Sequence, residues 1–233
     1  MRFRTTVEMR TEKGPVRQKN EDAVGLLQAP DTRRGIDAVY LVADGLGGHE
    51  RGEVASTMAV ELFLEAYRAQ GTGEPSCSGA SIESSLAEVI RRISGVISDV
   101  GVTGEAMHRD PLRAGMATTL TAALLAGDTL YLGHVGDSRA YLLRHGRLTQ
   151  LTEDHSTAAE QVRRGLVPPD EAAHPMDNAL TQVIGLEGPI DPFIGSLSLE
   201  EGDRLLLCTD GLHGFLDDRT IAAIVQREGT GGI

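Results

Sequence analysis

Two cysteines in 233 residues are too few for a disulfide framework. Cys77 lies in a Ser/Gly loop and Cys208 inside an apolar run, and neither has the spacing of a zinc site, so Cys208 reads as a small core residue. No stretch reaches the roughly 20 apolar residues that a membrane helix needs. The first residues, MRFRTTVEMRTEK, lack the apolar centre of an export signal. A cytoplasmic location with no membrane partner is the expectation. Basic residues are in deficit, 22 Lys and Arg against 34 Asp and Glu for a net charge of −12, which excludes a surface that collects nucleic acid or anionic lipid and suits cations instead. No internal repeat and no Pro/Gly/Ser linker divides the chain, so residues 1–233 read as a single domain.

The apolar periodicities that are present alternate between two kinds. Residues 3–9 and 22–28 read as short strands, and DAVYLVAD at 37–44 as a buried strand. From Glu53 to about Ala69, Val54, Met58 and Leu62 run beside Ala55, Ala59 and Phe63 at i, i+4 spacing, the stripe of an amphipathic helix. A second helical pattern spans about 81–99. Residues 117–152 are β-rich and punctuated by Gly127-Asp128, Gly136-Asp137-Ser138 and His145-Gly146, the signature of an antiparallel meander. Residues 154–188 form a polar excursion, after which strands return over 194–208 with Leu205 to Cys208 expected to be fully buried, and a helix runs from about 217 to 227. Strands, helices, strands and a last helix fit an α+β fold: a four-layer α/β/β/α sandwich of two antiparallel sheets flanked by helices.

Three aspartates share one local design. Asp44-Gly45, Asp137-Ser138 and Asp210-Gly211 each follow an apolar strand. Such a position holds a carboxylate rigidly at a sheet edge, and converging carboxylates repel unless a cation lies among them. Oxygen ligands without cysteine or a spaced histidine pair favour Mg²⁺ or Mn²⁺ over zinc. Upstream, VRQKNEDAV places Arg17, Glu21 and Asp22 just before a strand, and arginine's planar fork matches phosphate oxygens.

These pieces in this order resemble the metal-dependent protein phosphatase 2C family in its bacterial form: Arg17 with Asn20-Glu21-Asp22, ADGLGGH at 43–49, GMATTLTAALL at 115–125, VGDSRAYL at 135–142, LTEDHS at 151–156 and CTDGL at 208–212. The resemblance implies hydrolysis of phosphoserine and phosphothreonine in proteins by direct attack of a metal-bound hydroxide. In it Asp44 bridges two Mn²⁺ or Mg²⁺ ions, with Glu21 and the Gly45 carbonyl serving one and Asp210 the other. Arg17 holds the phosphate, Asp137 serves a third, weaker ion, and Asp22 and Thr118 lie in supporting positions. A nucleophilic cysteine is not required, and no C-x5-R motif surrounds Cys77 or Cys208. The excursion at 154–188 corresponds to a flap beside the active site. His49, His155 and His174 are candidates for protonating the leaving alkoxide, although a loop histidine is usually a bystander. The implied partners are phosphoproteins made by a bacterial serine/threonine kinase, acted on by a monomer.

The pattern departs from the family at its end. The family closes with a strand carrying an Asp-Asn pair that completes the metal site, whereas this sequence stops at REGTGGI, and its one Asp-Asn pair, Asp177-Asn178, falls in the flap as a helix-start residue. The C-terminal strand is therefore expected to be missing, and two outcomes stay open. One is an enzyme that tolerates the loss, and the other is a pseudophosphatase that binds phosphoproteins without turnover.

Overall fold

A computed structural model describes residues 4–15, 17–46, 51–69, 79–102, 115–168 and 179–228. Gly47, Gly48, His49, Cys77, His174 and Asp177-Asn178 lie outside the described residues.

Period-two alternation sorts the strand side chains between two cores. In β2 (Ala38–Asp44), Val39, Leu41 and Ala43 face the helices while Tyr40 faces the second sheet. In β3 (Leu120–Ala126), Leu120, Ala122 and Leu124 join the helix-side core and Ala123 the core between the sheets. With β1 (Asp22–Gln28), β4 (Thr129–Val135) and β7 (Phe193–Ser198) they build a five-stranded antiparallel sheet in the order β1-β2-β3-β4-β7. The second sheet has three strands, ordered β6-β5-β8, from β5 (Arg139–Arg144), β6 (Arg147–Gln150) and β8 (Arg204–Cys208).

Helices cover both outer faces. α1 (Gly52–Tyr67) buries Ala55, Ala59 and Phe63, the stripe read from the sequence, and α2 (Gly79–Val102) packs beside it on the five-stranded sheet. Each large side chain buried here, Phe63 or Leu124, stabilises the fold by roughly 1.5–3 kcal/mol. α3 (Thr157–Arg163) starts where the Ser156 hydroxyl accepts from the Ala159 N–H at 3.2 Å. α4 (Asp210–His213) is a single turn after β8, and α5 (Asp218–Glu228) lies on β5 and β6. The arrangement is the expected α/β/β/α sandwich.

Three local expectations are corrected. Residues 4–9 form no strand and stay largely exposed, because among the described residues no strand pairs with them. The meander is split: β3 and β4 belong to one sheet, β5 and β6 to the other, so Gly136-Asp137-Ser138 is a crossing between layers and not a hairpin turn. Leu205, Leu206 and Leu207 are only half-buried, since β8 is an edge strand, and Cys208 alone of that run is buried. Burial pushes the Cys208 thiol up to about 12, which makes it an inert core residue.

Candidate metal centre at the ends of the strands

Asp44 ends β2, where its backbone is fixed from both sides. Its N–H donates to Thr119 Oγ1 at 2.9 Å, and its carbonyl accepts from the Thr119 N–H and the Thr118 hydroxyl, both at 2.9 Å. Thr118 is fully buried and exchanges backbone bonds with Ile184 at 3.0 and 2.8 Å, so it ties the Asp44 backbone to the chain at residue 184. Gly45 meets Gly52 and Glu21 so closely that a Cβ there would lie 2.1 Å from the Gly52 carbonyl oxygen. Only glycine fits, because α1 begins against this backbone.

Asp22 is the register partner of Asp44 across β1 and β2, which puts the two carboxylates side by side on one face. Its place is thus in the cluster itself. Asp22 Oδ2 accepts from Thr209 Oγ1 at 2.9 Å, which takes that hydroxyl away from capping α4. Burial raises the Asp22 pKa, the Thr209 bond opposes the rise, and Asp210 adds to it. Burial first, then Asp22, Asp210 and Asp137, push Asp44 up to about 9. Asp137 is pushed up to about 6 by burial, then by Asp210 and Asp154. Asp210 is exposed at the first position of α4.

Glu21 and Arg17 stand at the rim. Arg17 is exposed, and its Nη1 donates to Glu21 Oε2 at 3.2 Å. The Glu21 carbonyl accepts from the Gly45 N–H at 3.0 Å and the Ser56 hydroxyl at 2.6 Å, tying the rim to α1.

Asp22, Asp210 and Asp137 therefore raise the cost of a charge on Asp44, and no basic side chain stands among the main causes of its shift. Half-buried carboxylates gathered around Asp44, with the exposed Asp210 at their edge, fit a hard divalent cation, which would supply the missing positive charge. Among the described residues no three His, Cys, Asp or Glu side chains already converge as a closed cage. The donor chemistry fits the ion, and the coordination sphere would need carbonyl and water oxygens to complete it.

Polar side chains within the strands extend the site in ways that local sequence does not signal. Thr119 Oγ1 also bonds Ser138 Oγ at 2.7 Å. Thr121 on β3 and His134 on β4 are register partners within the five-stranded sheet, fully buried, with Oγ1 and Nδ1 2.8 Å apart. His134 Nε2 lies 3.1 Å from the Glu153 carbonyl, and burial, then the nearby His155, push this ring down to about 3. His155 takes a structural part: its N–H donates to the Gly136 carbonyl at 2.7 Å and its Nδ1 accepts from the Gly136 N–H at 3.2 Å. That bond leaves the ring proton of neutral His155 on Nε2. Arg139 grips Asp154 through Nε at 2.9 Å and Nη2 at 2.8 Å and donates to the Tyr141 hydroxyl at 2.9 Å, holding the near root of the flap. Burial opposes the Arg139 charge, but the Asp154 bonds outweigh it and raise its pKa.

Two antiparallel sheets thus lie between helices, with an acidic cluster that suits a divalent cation at one end of the sandwich. The chain belongs to the protein phosphatase 2C family, whose profile matches residues 16–227. The serine/threonine phosphatase stp of Listeria monocytogenes is 35% identical over 224 residues, covering 96% of this chain and 84% of that relative. The serine/threonine protein phosphatase PstP of Mycobacterium tuberculosis is 36% identical over 219 residues, 93% of this chain but 38% of PstP. Among solved structures, the S. agalactiae serine/threonine phosphatase superposes with a TM-score of 0.79 at 32% identity, over 94% of this chain and 84% of that one. The catalytic domain of PstP in complex with two manganese ions gives 0.69 at 34% identity, over 93% and 82%. No described helix is long and apolar enough to cross a membrane.

Proposed function

We propose that this chain hydrolyses phosphoserine and phosphothreonine in proteins in a divalent-metal-dependent reaction. The observation that carries the reading is the set Asp44, Asp22, Asp210 and Asp137, whose shared charge calls for a cation, in a chain of this family. Asp44, Glu21, Asp210 and the Gly45 carbonyl would hold two Mn²⁺ or Mg²⁺ ions, and Asp137 a third. Bound divalent cations supply Lewis acidity, lowering the pKa of a water and offsetting charge on the phosphoryl oxygens.

The chain's own groups do the positioning. Asp44 stays in place because Thr118 and Thr119 fix its backbone on both sides. Arg17 is near enough to turn from Glu21 toward a phosphate, to which its planar fork donates two bonds. Asp22 anchors the Asp210 turn through Thr209. The Arg139–Asp154 pair and the Thr118–Ile184 bonds hold the two roots of the flap, which would shape the phosphoprotein accepted. The same proposal includes a single domain over 1–233, a monomer, a cytoplasmic location and an opposing serine/threonine kinase.

The absence of a closed three-side-chain cage among the described residues favours a second reading, a phosphoprotein-binding pseudophosphatase. The test is phosphate release from a phosphothreonine peptide titrated with Mn²⁺, beside an Asp44→Ala control. Mn²⁺-dependent release lost in Asp44→Ala supports the enzyme. A folded chain that binds the phosphopeptide and releases no phosphate at millimolar Mn²⁺ supports the binding module.

A further inference from the structure

Asp137 and Asp210 flank the open end of the three-stranded sheet. The last ladder pair of β5 and β8 is Arg139 with Cys208. Asp137 lies two residues before the first of these and Asp210 two residues after the second, so the two aspartates occupy facing positions just beyond the ladder. Backbone pairing no longer holds them there, and like-charged carboxylates at such positions push apart.

One side chain spans the gap. His213 is three residues after Asp210 on the single turn of α4, and its Nε2 is 3.0 Å from the Asp137 carbonyl. A carbonyl only accepts, so Nε2 carries the proton and donates it. From the other side, His155 holds the carbonyl and N–H of Gly136. Gly136 has φ +110, and a Cβ there would lie 2.6 Å from Thr119 Cγ2. The loop is thus gripped at Gly136 by His155 and at Asp137 by His213, on the turn that carries Asp210.

We propose that His213 is a positioning residue: its Nε2–H bond to the Asp137 carbonyl sets the spacing of the Asp137 loop and the Asp210 turn, and through it the affinity for a divalent cation. The inference rests on the metal-site reading above. Because its ring N–H is committed to a backbone carbonyl, His213 acts through the loop and not on the substrate.

The test uses the full chain and Mn²⁺ alone, with binding measured by titration calorimetry. His213→Phe keeps a ring and removes the donor. His213→Asn places its amide at the Nδ1 distance, too short to reach. His213→Gln places an amide N–H as far from the backbone as Nε2. Groups that orient ligands in this way typically change metal affinity 10–100-fold. The expected result is Mn²⁺ binding weakened about 10-fold or more in His213→Phe and His213→Asn and within about 3-fold of the parent in His213→Gln. At saturating Mn²⁺ the Phe variant should recover most of its kcat toward a phosphothreonine peptide. Circular dichroism identifies any variant that fails to fold, and the Asn and Gln pair then decides alone. In an Asp137→Asn background the added effect of His213→Phe should shrink to less than about 2-fold, as expected when both act on one loop. Parent-like binding in His213→Phe, or a His213→Gln as weak as His213→Phe, overturns the inference while leaving the metal-site reading intact. No Mn²⁺ binding by the parent chain overturns both.

Discussion

Replacing Asp44 by asparagine should stabilise the metal-free protein while abolishing activity. In the unfolded chain this carboxyl titrates near 3.8, whereas burial and the neighbouring aspartates push it up to about 9 in the fold. Folding at pH 7 therefore requires it to take up a proton. Each pH unit between 3.8 and 7 contributes about 1.36 kcal/mol, which makes the cost about 4 kcal/mol. The sign follows from proton uptake: between those two values the native state binds more protons than the unfolded state, so this group lowers stability as pH rises, with no effect below 3.8 and the full effect above 9. Asparagine has no charge to lose, its amide can donate to Asp22 or Asp210, and the backbone bonds to Thr118 and Thr119 are untouched. A domain of this size shifts by about 2–4 °C per kcal/mol, so the variant should melt about 10 °C higher at pH 7 in EDTA. The gain should be negligible near pH 4 and grow toward pH 9. Added Mn²⁺ should raise the midpoint of the parent and leave that of the variant nearly unmoved. A variant that melts at or below the parent in EDTA at pH 7 would refute the idea that the metal-free fold has to protonate Asp44.

Other consequences are equally measurable. Gly136→Ala places a side chain at φ +110 and against Thr119, so urea denaturation should show a loss of about 1–3 kcal/mol. Arg139→Lys replaces a two-pronged grip on Asp154 by a single contact and leaves the Tyr141 hydroxyl with Asp218 alone. Calorimetric unfolding should register a loss of about 2–4 kcal/mol, and the substrate KM should rise as the flap root loosens. The buried His134, pushed down to about 3, binds fewer protons in the fold than when unfolded, so its contribution is present above about pH 6.5 and is lost as pH falls toward 3. The urea midpoint of His134→Asn should decline less steeply than that of the parent over this range. An equal decline would mean that other groups govern acid unfolding.

The elements with strong periodicity were legible from the sequence. β1, β2, α1, α2 and α5 fall within a few residues of their expected positions, because alternating or i, i+4 apolar residues specify which face is buried. The division of the meander was not legible, since Gly-Asp-Ser has the composition of a hairpin turn whether the chain returns to the same sheet or crosses to the other. Asp44, Asp137 and Asp210 were visible because an acid at the end of an apolar strand contrasts with what precedes it. Asp22 read as peripheral because its importance comes from facing Asp44 across a register that only the folded sheet defines. Thr119, Thr121, His134 and His213 gave no signal for the same reason: each is a lone polar residue whose partner is 13 or more positions away.

The crossing at residues 136–138 has a mechanical consequence. Asp22 and Asp44 belong to the five-stranded layer, while Asp137 and Asp210 border the three-stranded one. The acidic cluster therefore straddles a seam, closed near the site by Thr209 to Asp22 and Thr119 to Ser138 and further away by Tyr40, Leu132, Ala140 and Leu207 packing between the layers. Any slip of one layer over the other changes the opening between the two halves of the cluster. Ordinary packing residues in the middle of the sandwich thereby act as shims for the site, and a methyl group added or removed there alters the fit of a cation it never touches.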